Sequence, residues 1–238
     1  MLGAVRHKGF IPWDDDFDVM MPRPDYERLI EIAPKELPNH LRFLSKKTSP
    51  GYKHVFNKVK NIDAQLLKET QHKTGLKLTG GLYIDIFPID GAPQSFLGEK
   101  LYWLKRLCLR SMGVFLLLTQ RHLFRWKHLP LYLIGAFFKP FYPAVKTPDD
   151  VNDAIEKWSS SYQFSDSAKS VYCQADKKFF LPAGTLGTPV MADFEGLKVP
   201  LAAKYEEVLT LLYGDYMTPP PPNQRFPKHQ ILDKQTKV

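Results

Sequence analysis

Cysteine is nearly missing from this 238-residue chain, which has two, Cys108 and Cys173. Two thiols cannot supply a zinc ribbon, and both sit among apolar or aromatic neighbours, where a thiol packs as a small hydrophobe. A reducing, cytoplasmic setting is the expectation. Long apolar runs are missing as well: the strongest, 112–118 and 129–138, fall short of the roughly 18 residues that span a bilayer. No transmembrane helix is predicted. The opening MLGAVRHKG lacks the apolar centre of a signal peptide, and no internal repeat is evident. Between 100 and 146 there is no Asp or Glu at all, against nine Lys or Arg. This regional excess contributes to a net charge of +8 and a pI near 9.3, which favour anionic partners such as nucleotides, nucleic acid or an acidic membrane surface. Basicity alone does not choose among them. At 44% hydrophobic residues the chain is not disordered, and its length suits one domain carrying an insertion, or two small ones.

The acidic residues are concentrated elsewhere. In GFIPWDDDFDVMMPRP (9–24), Asp14, Asp15, Asp16 and Asp18 fall within five positions. Carboxylates this close repel and raise one another's pKa unless a cation neutralises them, and a hard divalent ion does so most directly. A solvated acidic loop is the plainer reading, but Phe10, Ile11, Trp13, Phe17, Val19, Met20 and Met21 are costly to leave in water. Read as an extended strand, the stretch puts Asp14, Asp16 and Asp18 on one face. An EF-hand loop is excluded, because it needs Gly where Val19 stands and a bidentate Glu where Asp25 stands.

Downstream, Asp25 to Ala33 reads as a helix stopped by Pro34. Residues 40–44 and 54–60 read as two strands around Ser49-Pro50-Gly51, and 61–78 as a loop with a helical turn. After Gly80-Gly81, LYIDIFPID alternates as a strand ended by Pro88. Within it Asp85 needs a partner or a metal, since an isolated buried charge costs several kcal/mol. A neighbouring strand would bring Asp85 to Asp16 and Asp18. Residues 96–146 form a basic, apolar helical hairpin that packs on the core or meets anionic lipid. A helix at 149–161, a strand at 171–180, a hairpin near 190–200, a helix over 201–214 with Gly214 as C-cap, extended prolines at 219–222 and a fraying basic tail complete the chain.

Four ordered stretches give the sequence a family. GAVRHKGFIPWDDDFDVMMPRPDYERL, HVFNKVK, GGLYIDIFPIDG and LLYGDYMTPPPPNQR closely resemble the LicD family, phosphocholine transferases of bacterial surface glycans with the fukutin-related proteins as distant kin. The resemblance implies an α/β (α+β) nucleotidyltransferase-like fold, a mixed sheet flanked by helices, as a single domain over 1–238 with 96–146 as its helical insertion. The helix, strand and glycine-rich turn that precede Leu2-Gly3 in the family pattern are absent from this sequence. By position Asp16 and Asp18 match the family's carboxylate pair and Asp85 its third. They would be the catalytic, metal-holding residues for Mg²⁺ or Mn²⁺. Asp14 and Asp15 would tune the site or pair with Arg6 or Arg23. Arg6, His7, Lys8, Arg23 and Lys58 are candidates to meet phosphate, and Tyr216 and Arg225 to close over the site. Trp13, Tyr83 and Phe87 are candidates for the aromatic wall that a quaternary ammonium favours.

The implied reaction moves phosphocholine, or another phospho-alcohol, from a CDP-linked donor to a hydroxyl of a glycan or lipid-linked glycan, releasing CMP, at a protein that is cytoplasmic or peripheral on the inner membrane face. Two rivals stand beside it: a metal-dependent glycosyltransferase using a nucleotide sugar, and a non-catalytic membrane-associated scaffold. A nucleic-acid role is not expected, because the aromatics at 132–142 sit in apolar runs rather than on stacking platforms.

Overall fold

A computed structural model describes residues 1–14, 16–52, 54–63, 70–71, 77–78, 82–121, 128–171 and 180–225. Asp15, Gly80-Gly81, most of the expected strand at 171–180, Cys173 and the basic tail lie outside the described residues.

The elements run α1 (Leu2–His7), β1 (Asp18–Pro22), α2 (Arg23–Glu36), β2 (Leu41–Leu44), β3 (Asn57–Asn61), β4 (Thr70–Gln71), β5 (Lys77–Leu78), β6 (Tyr83–Gly91), α3 (Phe96–Arg121), α4 (Leu129–Phe138), α5 (Pro148–Ser159), β7 (Ser170–Val171), β8 (Val190–Phe194), β9 (Leu197–Leu201) and α6 (Tyr205–Tyr213). The main sheet has the order β1-β6-β3-β2, with β7 added to the end of β6. β1 and β6 are parallel, while the other pairings in this sheet are antiparallel. The fold is thus a mixed α+β arrangement, and the expected hairpin at 96–146 contains two helices.

Period-two alternation divides the two faces of the sheet. Ile86 and Val59 turn to α2, where they join Tyr26, Ile30, Ala33 and Phe43 in one core cluster. Asp18, Asp85 and Lys58 turn to the opposite face. Further along that face Ile89 packs on Leu181 and on Val208 of α6, so one end of it is covered. A larger core lies between α3 and α5, with Tyr102, Leu109, Met112, Val151 and Ile155 in one cluster. α5 begins with a capping box between Thr147 and Asp150, which satisfies two otherwise orphaned N–H groups.

Several boundaries differ from expectation for local reasons. β1 starts at Asp18 rather than Asp14, because the Asp14 N–H donates to the Ile11 carbonyl at 2.8 Å and folds residues 11–14 into a turn. α2 runs through Pro34. The missing N–H costs one bond in the last turn, while Ile30 and Ala33 stay anchored in the core and the Leu37 N–H still reaches the Ala33 carbonyl. β6 likewise runs through Pro88. The Asp85 N–H donates toward β1, to Phe17, so alternation aims position 88 at the β3 side. There the ladder has already ended at Asn57↔Ile86, and proline removes no ladder bond. Residues 70–71 and 77–78, expected in a loop, pair as β4 and β5. The last helix begins at Tyr205 because Leu201 still belongs to β9, and the proline run ends in a 3-10 turn at Pro222–Gln224.

Candidate active site

Three charged residues form one row across the sheet. Asp18 is in register with Asp85, and Asp85 with Lys58, so strands from three parts of the chain aim these side chains to one side. The Lys58 ammonium lies 2.6 Å from Asp85 Oδ1, and both side chains are about 15% exposed. The approach is off the hydrogen-bond direction, which leaves Oδ1 buried without an aligned donor. Lys58 is also held over the Tyr83 ring, 3.9 Å from its centroid, and 5.1 Å from that of Phe56.

The electrostatics follow from this crowding. Partial burial, and then the like charges of Asp16, Asp85 and Asp14, push the Asp18 carboxyl up to about 6 against the pull of Lys58, although the residue as a whole is exposed to solvent, which screens these charges. Burial also raises Asp85, with Lys58 opposing and Asp16 adding to the rise. Asp16 sits just before β1, where the Asp85 N–H to Phe17 carbonyl bond of 3.1 Å extends the pairing by one residue.

A divalent ion can be tested against these groups. The donor chemistry fits, because the excess negative charge of clustered carboxylates is what a hard cation neutralises, although Lys58 already meets Asp85 Oδ1. Among the described residues, however, no three His, Cys, Asp or Glu side chains converge closely enough to enclose one. Asp18 and Asp85 are the adjacent pair, with Asp16 the next carboxylate along the chain.

The remaining candidates divide. The Arg6 guanidinium donates to the Tyr216 carbonyl at 2.9 Å. Arg225 lies over the Trp13 ring at 5.2 Å, His7 meets the same ring edge-on at 5.9 Å, and Arg225 Nε donates to the Pro220 carbonyl. The N-terminal helix and the C-terminal proline segment therefore meet around Trp13, one residue before Asp14. Tyr216 enters this contact through its backbone carbonyl. Lys8 ends α1 in the left-handed region, its carbonyl accepts from the Glu195 N–H, and its charge acts on Asp193 of the β8–β9 hairpin.

Arg23, expected among the phosphate-facing groups, is paired inside the protein. It follows the far end of β1 and is buried, with a bidentate pair to Asp90 at 2.6 and 2.9 Å and a third contact to Glu156 at 2.6 Å. Burial opposes the guanidinium charge, but the two carboxylates more than offset this and hold its pKa above the ordinary value.

Sequence reasoning also passed over several neighbours. Tyr52, His54 and Phe56 stack in series at 5.3 and 5.2 Å, and Phe56 meets Phe87 at 4.5 Å. The signal was present, since Tyr52, His54, Phe56 and Lys58 fall at every second position. Glu195 gave none. Its carboxylate accepts from the Phe10 N–H, and a Cβ at Gly9 would come within 2.1 Å of it. The hairpin thereby holds the segment before the carboxylates, helped by ring contacts of Phe194 with Phe10 and Phe17.

The first 107 residues are a match to the LicD domain, in the family described as LicD/FKTN/FKRP, nucleotidyltransferase domain. Over 96% of its length the chain is 26% identical to the lipopolysaccharide cholinephosphotransferase LicD of Haemophilus influenzae, of which the alignment covers 83%. An uncharacterised protein of Rickettsia prowazekii is 29% identical over 48% of the chain and 39% of its own length. No solved structure matches. All three charged residues of the row fall inside the LicD domain, whereas Tyr216, Arg225 and the β8–β9 hairpin lie beyond it.

Proposed function

We propose that this protein is a transferase that moves phosphocholine from CDP-choline to a hydroxyl of lipopolysaccharide or a related lipid-linked glycan, releasing CMP. Likeness to the Haemophilus influenzae enzyme supports the reaction class, and the observation that carries the reading at the level of residues is the row Asp18–Asp85–Lys58. The acceptor oxygen attacks the phosphorus bearing choline, a new O–P bond forms, and the P–O bond to CMP breaks with its electron pair leaving on CMP.

Asp18 and Asp85, with Asp16, would hold a divalent ion, Mg²⁺ or Mn²⁺. When bound, that ion supplies Lewis-acid stabilisation of the phosphate oxygens. Lys58 places positive charge on the same face, against Asp85 Oδ1, and Arg6 and Arg225 meet around Trp13. The raised proton affinity of Asp85 suits it to accept the acceptor hydroxyl's proton. Tyr83 and Phe56 hold the Lys58 ammonium against their rings, so a quaternary ammonium, which favours such faces, would have to share or displace it there.

The test is release of CMP from CDP-choline with Mg²⁺ or Mn²⁺ and a lipopolysaccharide acceptor, with UDP-sugars as competing donors. Asp18→Asn should abolish release, and Lys58→Met should lower kcat/KM by about 10²-fold, the scale for removing one electrostatic stabiliser. Turnover of a UDP-sugar but not of any CDP-alcohol would refute the proposal in favour of a glycosyltransferase.

A further inference from the structure

The hairpin of α3 and α4 buries only part of its apolar surface. At the C-terminal half of α3 the helices touch closely. A Cβ on Gly135 would meet the Ser111 carbonyl oxygen at 2.2 Å, and Phe115 stacks on Tyr132 at 5.0 Å. At 100° per residue, Ser111 and Phe115 continue the face that carries Phe96, Leu97, Leu101 and Leu104 about two to five turns earlier. α4 covers that face over Ser111 and Phe115 and then ends. Antiparallel to α3, it reaches its last residue, Phe138, near the level of residue 108, and the face beyond stays open, with Phe96 71% and Leu104 55% exposed.

Leu133, Phe137 and Phe141, spaced four apart, are exposed along the outer side of α4 and the 3-10 turn after it. An open groove of about 680 Å³ adjoins the α3 patch, walled by Phe96, Trp103, Leu104, Phe180 and Leu211. Scattered single hydrophobics are normal on a protein surface, but a contiguous set on one helical hairpin marks an interaction site.

The charges around this surface select its occupant. Lys100 projects from the middle of the α3 patch and lies over the Phe96 ring at 4.2 Å. Glu99, at the rim of the groove, is already paired with Lys169. Of the nine basic residues between 100 and 146, a stretch with no acidic one, Lys100 is the one placed on the patch, while Arg106 is buried and Lys105 lies over the Trp158 ring. The segment's net charge attracts it to a dense anionic surface. Among the described residues no helix is long and apolar enough to cross a membrane, and α3 is amphipathic rather than apolar all round.

We propose that the open face of α3 seats this protein on an acidic phospholipid bilayer, with Phe96, Leu101 and Leu104 inserted at the headgroup level and Lys100 at the phosphates. The inference does not rest on the transfer reaction, because vesicle binding and CMP release are separate readouts and either can fail alone.

The experiment is co-sedimentation of the full chain with phosphatidylcholine vesicles and with vesicles containing about 30% phosphatidylglycerol, at low and high salt. The wild type is expected to pellet with the acidic vesicles, less with the neutral ones, and to be released by salt. Leu101→Glu/Leu104→Glu, at exposed positions, should weaken binding at least tenfold while leaving the melting temperature and CMP release with a water-soluble acceptor unchanged. Lys100→Glu should weaken binding to acidic vesicles alone, which keeps the proposal testable if the double variant misfolds. A wild type that stays in the supernatant with acidic vesicles at low salt would overturn it, as would equal binding by both variants. A dimer in light scattering that Leu101→Glu/Leu104→Glu makes monomeric would also overturn it, assigning the face to a second copy of the chain.

Discussion

Replacing Arg23 separates stability from catalysis. The guanidinium is 8% exposed and Asp90 1% exposed, and the two hydrogen bonds to the Asp90 carboxylate, at 2.6 and 2.9 Å, both come from Arg23. Arg23→Met keeps the side chain's bulk but leaves Asp90 charged and buried. It also removes the partner of Glu156, whose side chain is 28% exposed and can partly rehydrate. Breaking a buried pair from one side costs about 3–5 kcal/mol. For a chain of this size each kcal/mol lowers the melting temperature by about 2–4 °C, so the expected drop is roughly 6–20 °C. Arg23→Lys keeps the charge and loses the fork, and should fall about midway. Thermal unfolding followed by circular dichroism measures the shift, and CMP release at a temperature where both proteins remain folded measures function. The KM for CDP-choline should be unchanged. A melting point within about 2 °C of wild type together with a several-fold rise in KM would refute it, and would return Arg23 to the substrate.

Asp18 gives a pH prediction. Its folded pKa of about 6 lies above its ordinary value of 3.8, so the folded state favours the proton. Without metal, that contribution to stability is fully present below pH 4 and is lost as pH rises through 6. The melting temperature of metal-free wild type should therefore fall more between pH 5 and pH 7 than that of Asp18→Asn, by about the contribution of one perturbed carboxylate. At pH 7 Mg²⁺ or Mn²⁺ should raise the wild type's melting temperature, and below about pH 6 the proton should compete and the effect fade. Parallel pH curves for the two proteins, or a metal effect that persists at pH 5, would count against the assignment. At Gly135, where a Cβ would meet the Ser111 carbonyl at 2.2 Å and Phe115 Cβ at 2.7 Å, Gly135→Val should force α4 away from α3 at a cost of about 1–3 kcal/mol. Urea denaturation would detect this as a lower midpoint, and an unchanged midpoint would show that the helices need no close approach there.

What could be read from the sequence was chemistry set by near neighbours. Four aspartates among bulky apolar residues announce a charge problem that the chain must solve, and Asp85 stands out because its strand is otherwise apolar. The adjacency of Asp18 and Asp85 follows once two strands are placed side by side, and the register confirms it. What could not be read depended on partners distant in the chain. Arg23 looks like a surface cation until Asp90 and Glu156 arrive from 67 and 133 residues away. Pro88 looks like a strand terminator until β3 is found to end at Asn57. Glu195 carries no local sign that it will hold the segment before the carboxylates, because that contact spans 185 residues.

The stretch matching the LicD family ends at residue 107, inside α3, yet the bonds that fix β1 ignore this limit. Phe17, next to Asp18, packs on Phe194, Arg23 is clamped by Glu156, and β6 gains its last partner from Ser170 and Val171. Evolutionary recognisability and cooperative folding thus have different extents here. During synthesis the ribosome delivers β1, β3 and β6 within the first 91 residues, so the ladders that carry the row are early, whereas the contacts from Glu156, β7 and Phe194 emerge only after most of the chain has been made. Such long loop closures slow folding, and a fragment ending at residue 107 should keep the recognisable sequence while holding the carboxylate row less firmly than the whole chain does.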